Sequence, residues 1–181
     1  DSDGAAAVLL ASADFVGAIH ESPLRPLVRV AGSAVATDAL AIHDRSDPLS
    51  FRAATLSAGK ALAQAGISVD EVNVFELHDA FTVFTALSLE ALGVAERGLG
   101  WKLAADGGIS LKGRVPISTF GGLKARGNPG GATGLYQIVE VALQLRGQAG
   151  ANQIANAKWG LAQCLGSAGA TAVTHILERT S

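Results

Sequence analysis

The chain has 181 residues, of which 49% are hydrophobic and only 17% are charged, so it can bury a sizeable core and is not a disordered chain. The formal net charge of -2 argues against a nucleic-acid-binding protein, and no apolar run is long enough to span a bilayer. The single cysteine, Cys164, cannot form an internal disulfide and is typical of a reducing, cytoplasmic compartment. The chain contains no methionine, so we do not expect Asp1 to be the natural start.

The first third of the chain predicts two strands and two helices. The small apolar run at residues 4–11 predicts a strand buried on both faces, whose partner strand would come from elsewhere. Residues 14–20 predict a short helix and residues 27–36 a strand. Asp47 and Pro48 suit the N-cap and first position of a helix that ends at the C-cap Gly66.

The rest of the chain continues the alternation. A strand at residues 72–77 precedes His78, and a helix follows at residues 81–92. The long glycine-containing segment 94–114 predicts an irregular loop that is functional or lies at an interface. The last predicted elements are a strand at residues 115–119, a glycine-rich loop, a helix at residues 135–145, and two strands at residues 159–164 and 171–177.

These elements predict an α/β fold. Their order, after the first strand, is strand–helix–strand–helix–strand–helix–strand–strand. Helical crossovers favour a mostly parallel five-stranded mixed sheet with helices on both faces, and the last two strands favour an antiparallel finish.

Residues 121–134 contain seven glycines or prolines in fourteen residues. They lie between a predicted strand and a predicted helix, where backbone N–H groups and the helix dipole can face an anionic or carbonyl oxygen. A tight structural crossover explains the same composition equally well.

Three polar residues lie where open α/β sheets place their chemistry. His78 could exchange hydrogen bonds with a substrate oxygen or tie a loop to a backbone carbonyl. Asn128 could orient a carbonyl or serve as a turn residue in a left-handed conformation. Cys164 could carry a proton or be a buried structural cysteine. The other histidines, His20, His43 and His175, lie in no motif, and no spacing resembles a metal site.

Five motifs occur together in this sequence. They are Asp-Gly-Ala-Ala-Ala-Val at 3–8, His-Asp-Ala-Phe at 78–81, the glycine-rich stretch at 121–134, Gln-Leu-Arg-Gly at 144–147 and Cys-Leu-Gly at 164–166. In this order they resemble the C-terminal half of a thiolase over nearly the whole chain. The resemblance is strongest to the archaeal-type and sterol-carrier-type branch, in which the second of these motifs begins with histidine.

The resemblance implies a domain organisation. Residues 1–24 would be the last strand and helix of the N-terminal thiolase half, and residues 25–181 would be the C-terminal domain. Pro23 and Pro26 punctuate the chain near this boundary.

The resemblance also implies residue roles. His78 would hold a water that contributes to an oxyanion hole, and Cys164 would move the proton at the acyl α-carbon. Asn128 occupies the position of a histidine that activates the nucleophilic cysteine and helps to bind the thioester oxygen. Substrate binding would involve three flanking residues of the same motifs: Gly127, Pro129 and Gly166.

Two features depart from the family pattern. The nucleophilic cysteine of the family lies in the N-terminal half, which this chain does not contain, so we expect the chain alone to be inactive. The chain also lacks most of the loop region that usually binds coenzyme A in the family. Asparagine at position 128 cannot deprotonate a thiol, and loss of a general base costs on the order of a hundredfold or more in rate.

Three hypotheses follow from the resemblance. The first is an acyl-CoA acyltransferase that catalyses Claisen condensation and thiolysis of 3-ketoacyl-CoA. The second is a thiolase-fold retro-aldolase or lyase acting on acyl-CoA, which Asn128 favours, and the third is a non-catalytic partner subunit. Coenzyme A and acyl-CoA would be substrates, with no covalently bound cofactor. The implied partners are the missing half, further copies of the complete protein, and a small zinc-containing OB-fold protein.

Overall fold

The computed structural model describes residues 1–19 and 27–180. Its centre is a four-stranded mixed sheet with strand order β1-β4-β3-β2. Strand β4 pairs antiparallel with both β1 and β3, and β2 pairs parallel with β3. The strands are β1 (Val28–Thr37), β2 (Val74–Glu76), β3 (Trp159–Gly166) and β4 (Thr171–Arg179).

Six α-helices accompany the sheet in the described ranges. They are α1 (Ala13–Ile19), α2 (Arg52–Ala65), α3 (Thr82–Ala91), α4 (Gly100–Ala105), α5 (Gly122–Arg126) and α6 (Thr133–Leu145). Short 3-10 turns lie at Ile42–Asp44, Val69–Glu71, Gly130–Ala132 and Gly150–Asn152.

The two faces of the sheet are covered by different helices, as the sequence predicts. Successive strand residues point to opposite faces. On β3, Leu161 joins the core cluster under α2 and α3, whereas the next residue, Ala162, joins the cluster under α6. Phe75 and Val74 divide in the same way on β2. Burial on both faces explains why these strands are apolar throughout.

The strand directions agree with the prediction, but the strand number and the pairings do not. Strands β1, β2 and β3 run in one direction, as helical crossovers require. Because β4 inserts between β1 and β3, two of the three pairings are antiparallel, so the predicted mostly parallel five-stranded sheet is wrong in this respect. The predicted strand at 115–119 contributes only an isolated parallel bridge between Ile117 and Phe75. The chain turns away at Ser118, whose φ is 44°.

The predicted strand at residues 4–11 is absent. This segment pairs with no strand in the described part of the chain, and Leu9 is 94% exposed. An apolar run becomes a strand only where a neighbouring ladder satisfies its backbone, which explains the difference. The predicted helix after it corresponds to α1, whereas the proposed boundary at residues 24 and 25 lies outside the described residues and stays a prediction.

Two local predictions are also corrected. Helix α2 begins at Arg52 and not at Pro48, because the Asp47 carboxylate accepts the Leu49 N–H at 3.0 Å in a turn that precedes the helix. Its predicted C-cap is confirmed, since Gly66 has a φ of 71°. Segment 94–114 is not irregular throughout, because it contains α4, which packs against α3.

Candidate active site

A cavity of about 460 Å³ opens at the ends of β2 and β3. It is lined by the three polar residues that the sequence singles out, His78, Asn128 and Cys164, although they belong to three separate segments. The remaining lining is largely apolar: Ala80, Phe81, Phe84, Gly130, Leu165, Ser167 and Ala168. The cavity therefore combines a few polar groups with an apolar wall, as small-molecule sites commonly do.

His78 reaches the cavity from the loop that follows β2. The residue is 9% exposed, and its Nδ1 lies 3.7 Å from the Sγ of Cys164. Burial lowers the pKa of His78, while the neighbouring Asp79 carboxylate acts in the opposite direction with a smaller effect. The ring is therefore neutral at neutral pH and can accept a hydrogen bond through one nitrogen while it donates through the other.

Cys164 lies near the end of β3 and is partly buried. Burial raises the pKa of its thiol, and a backbone hydrogen bond from Leu165 only partly offsets this. The thiol therefore holds its proton at neutral pH. Helix α6 packs closely against Cys164, as shown by Gly134, where an added Cβ would stand 3.5 Å from the sulfur. This cysteine is suited to moving a proton and is poorly suited to nucleophilic attack.

Asn128 has a fixed side-chain orientation. Its Oδ1 accepts hydrogen bonds from the Gly130 N–H at 3.2 Å and from the Thr133 hydroxyl at 2.8 Å. Because a backbone N–H can only donate, the amide oxygen must be the atom that faces the loop. Asn128 lines the cavity, and these two hydrogen bonds leave its Nδ2 group unused. Asn128 is not among the residues with positive φ, so the left-handed turn conformation is not what this asparagine provides.

Asp79 does not line the cavity, but it supports the loops that do, a role that the sequence motif containing it did not reveal. The side chain is buried, and its Oδ1 accepts the backbone N–H of Leu123 at 2.8 Å. Leu123 belongs to α5, which leads into the glycine-rich loop. Asp79 therefore fixes the loop of His78 to the loop of Asn128. The two residues are 44 positions apart, so no local pattern could have identified the contact.

The predicted substrate-binding residues lie beside the cavity and not on its described wall. Gly127 has a φ of 84°, and a Cβ added there would stand 2.6 Å from the Ser2 hydroxyl oxygen. A Cβ on Gly4 would stand 2.9 Å from Pro129. The N-terminal segment thus lies against the glycine-rich loop, and the substrate-binding roles of Gly127, Pro129 and Gly166 stay predictions.

In the ranges 1–19 and 27–180, no three His, Cys, Asp or Glu side chains are grouped as metal ligands. None of the helices in those ranges is long and apolar enough to cross a membrane. His43 and His175 do not line the cavity, and His20 lies outside the described residues.

Residues 34–179 match the family model described as thiolase C-terminal domain-like. The chain is 40% identical over 178 residues to the acetyl-CoA acetyltransferase of Methanothermobacter thermautotrophicus, an alignment that covers 98% of this chain and 45% of that relative. It is 36% identical over 177 residues to sterol carrier protein 2 of Bos taurus, covering 96% of this chain and 32% of that protein. The chain spans less than half the length of these curated relatives.

Two solved structures resemble the fold. The Ltp2-ChsH2(DUF35) aldolase superposes with a TM-score of 0.78 at 25% identity, covering 86% of this chain and 40% of that chain. A monomeric SCP2-thiolase like protein type 1 from Mycobacterium smegmatis superposes with a TM-score of 0.63 at 20% identity, covering 85% and 29% of the two chains. The second likeness concerns the fold alone.

Proposed function

The chain belongs to the thiolase C-terminal domain-like family, and on that premise we propose that it forms one wall of an active site for carbon–carbon bond chemistry next to an acyl-CoA thioester. One observation carries the proposal: the His78 ring, the Cys164 thiol and the Asn128 amide line one cavity. Burial lowers the pKa of His78 and raises that of Cys164, which favours a neutral ring and a protonated thiol. A proton donor and two hydrogen-bond donors are the groups that a thioester enolate requires.

The proposed step assigns a role to each of the three residues. In the cleavage direction, the bond between the α- and β-carbons breaks and its electron pair stays on the substrate as a thioester enolate. The Cys164 thiol gives its proton to the α-carbon, and Asn128 Nδ2 and His78 donate hydrogen bonds to the enolate oxygen. If the thiol donates to His78 Nδ1, the hydrogen of the ring lies on Nε2 and is available to the substrate.

The first candidate reaction is acyl transfer by a thiolase mechanism. The 40% identity to an acetyl-CoA acetyltransferase supports it. In this reaction a cysteine thiolate from the remainder of the complete protein takes up the departing acyl group. The sulfur of the incoming coenzyme A then takes the acyl group and releases that thiolate, while the coenzyme A thiol proton replaces the proton lost by Cys164. The chain alone would be inactive because it lacks that nucleophile.

The second candidate reaction is aldol cleavage of a β-hydroxyacyl-CoA. The side chain of Asn128 supports it, because an amide whose oxygen is already bonded to Gly130 and Thr133 has no lone pair with which to activate a thiol. The β-hydroxyl loses its proton to solvent water, the bond between the α- and β-carbons breaks, and a ketone or aldehyde leaves. Solvent then returns a proton to the Cys164 thiolate that protonated the α-carbon. The likeness to a solved aldolase is consistent with this reaction.

The complete protein would act on coenzyme A thioesters without a covalently bound cofactor, in the cytoplasm. It would assemble with further copies of itself, and a small zinc-containing OB-fold protein is a further partner. The structural likeness to the solved Ltp2-ChsH2(DUF35) aldolase supports the idea of a partner subunit.

The test uses the complete protein and two substrates. Acetoacetyl-CoA with free coenzyme A reports thiolysis, and a β-hydroxyacyl-CoA without free coenzyme A reports aldol cleavage. We expect turnover of one of them and a loss of a hundredfold or more in Cys164→Ala. Binding of acyl-CoA without turnover of either substrate would favour a non-catalytic subunit and overturn the proposal.

A further inference from the structure

A buried acidic cluster includes residues that lie two positions from His78 and Asn128 in the chain, and the proposed reaction does not use it. Glu76 at the end of β2 is completely buried, and Glu140 on α6 is 7% exposed. Arg126, the last residue of α5, donates from its Nη1 to both oxygens of Glu140, at 2.9 and 3.1 Å. The cluster thus contains two carboxyl groups and one guanidinium.

The charges of this cluster do not balance if both carboxyl groups are ionised. One guanidinium compensates one carboxylate, and a second buried carboxylate would stay uncompensated, which is strongly unfavourable. Glu140 is near enough to raise the pKa of Glu76, both through its charge and as a side-chain hydrogen-bond partner. Two carboxylates can only accept, so this contact becomes a hydrogen bond only when one of them carries a proton.

The partners of each carboxyl group indicate which one holds the proton. Glu140 receives both hydrogen bonds from Arg126 and is therefore the ionised member. Glu76 accepts a single hydrogen bond, from the Thr119 N–H at 3.1 Å to Oε1, and its Oε2 has no donor among the described residues. A proton on Oε2 would give that oxygen a hydrogen bond to donate.

The electrostatic surroundings of Glu76 also favour a proton on this residue. Burial raises the pKa of Glu76 well above its ordinary value, and the Glu140 carboxylate raises it further. The Arg126 guanidinium and the Thr119 N–H act in the opposite direction with smaller effects. These are the groups that act on Glu76 from α6, from α5 and from the segment after Ile117.

The cluster is connected to Asn128 along the chain and through helix α6, and to His78 along the chain. Arg126 precedes Asn128 by two residues, and its guanidinium also lies over the Tyr136 ring, 5.1 Å from the ring centroid. Helix α6 holds the loop at two points, through Thr133 to Asn128 and through Glu140 to Arg126. Glu76 precedes His78 by two residues.

We propose that Glu76 is protonated at neutral pH and donates a hydrogen bond to Glu140, and that this pair, with Arg126, is a positioning device that sets Asn128 opposite His78. Loss of the proton would place a second negative charge beside Glu140 and loosen the attachment of the loop. The inference rests on the fold and not on the reaction proposed above.

Infrared spectroscopy of the complete protein tests the protonation directly. We expect a protonated-carboxyl stretching band at pH 7 that disappears in Glu76→Gln and persists in the matched exposed variant Glu96→Gln. In Glu140→Gln, Glu76 becomes the only carboxylate partner of Arg126, so the band should also disappear at pH 7. A wild-type spectrum without the band, or a band that survives Glu76→Gln, would overturn the proposal.

The positioning role has its own readout. The side-chain amide resonance of Asn128 is identified as the one lost in Asn128→Asp. It should shift over the same pH range in which the infrared band disappears. That shift should be absent in Glu76→Gln, in which an amide replaces the protonated carboxyl, and unchanged in Glu96→Gln. An Asn128 resonance that moves equally in wild type and Glu76→Gln would show that Glu76 does not position the loop. Because neither readout uses turnover, an inactive protein would contradict the proposed function and leave this inference intact.

Discussion

The Asp79 carboxylate accepts the backbone N–H of Leu123 at 2.8 Å, and this hydrogen bond joins the two loops that carry His78 and Asn128. Leu123 lies in the first turn of α5, where backbone N–H groups lack partners within the helix. Gly122 allows the close approach, because a Cβ there would stand 2.4 Å from Asp79 Oδ2. The hydrogen bond between Asp79 and the Leu123 N–H therefore depends on the absence of a side chain at residue 122.

The contact between Asp79 and Gly122 predicts that substitutions at these two positions have non-additive effects on the free energy of unfolding. Asp79→Ala leaves a buried N–H unpaired and should cost about 1–3 kcal/mol of unfolding free energy. Gly122→Ala should also destabilise, through the contact with Asp79 and through a φ of 61°. In the double variant the steric contact is gone, so the combined loss should be smaller than the sum of the single losses. Denaturant unfolding of the four proteins measures this, and simple additivity would contradict it.

Asn128 can be tested with a nearly isosteric change. Asn128→Asp keeps an oxygen for Gly130 and Thr133 but replaces the donating Nδ2 with an acceptor. We expect the folded protein to persist and its turnover to fall by about a hundredfold or more, because the enolate oxygen would then face a negative charge. Steady-state kinetics of the complete protein, with circular dichroism as the control for folding, gives the comparison. Unchanged turnover would remove Asn128 from the site.

Asn128→His distinguishes the two candidate reactions. A histidine at this position supplies the base that a cysteine nucleophile requires, so thiolysis of acetoacetyl-CoA should rise. Aldol cleavage should fall, because the oriented amide donor is lost. Parallel assays of both substrates provide the measurement, and a rise in aldol cleavage alone would contradict the role assigned to the amide.

His78 predicts a pH dependence of stability. Its pKa in the folded protein is lowered by burial, so between that pKa and the unfolded value of about 6.5 the unfolded chain binds more protons. Its contribution is therefore complete above about pH 6.5 and is lost as pH falls through the lowered pKa. Unfolding free energies measured across this range should vary less in His78→Asn.

His175 provides the comparison for that experiment. Burial also lowers its pKa, although it lies on β4 and outside the cavity. His175→Asn should remove a separate part of the pH dependence, and the double variant should be the least sensitive to pH. If His78→Asn left the pH dependence of the unfolding free energy unchanged, the neutral buried state of His78 would be refuted.

Two glycines at the packed pair of elements α2 and β1, Gly59 and Gly32, should respond in opposite directions to alanine. A Cβ on Gly32 of β1 would stand 2.1 Å from the Ala61 carbonyl oxygen of α2, so Gly32→Ala should destabilise by about 2 kcal/mol. Gly59, inside α2, has no atom within 4 Å of such a Cβ, and Gly59→Ala should stabilise by about 0.5–1 kcal/mol. Thermal unfolding compares them, and equal effects would contradict the close packing of α2 on β1.

Local chemistry allowed much of the fold to be predicted from the sequence. Strands β1, β3 and β4 and helices α3 and α6 lie within a few residues of their predicted positions, because their apolar periodicity is set by the side chains of each segment itself. Gly66 ends α2 for an equally local reason. The residue types at strand ends also identified His78, Asn128 and Cys164, which the structure brings to one cavity.

Only the tertiary structure determined how these pieces combine. The insertion of β4 between β1 and β3, the Asp79–Leu123 contact and the grouping of Glu76, Glu140 and Arg126 all join residues far apart in the chain. In the sequence, Glu76 is simply a charged interruption of an apolar strand. Its role depends on which carboxylate and which guanidinium pack against it. Propensity and periodicity act within a segment, whereas pairing, burial and charge compensation depend on the segments that the fold places beside it.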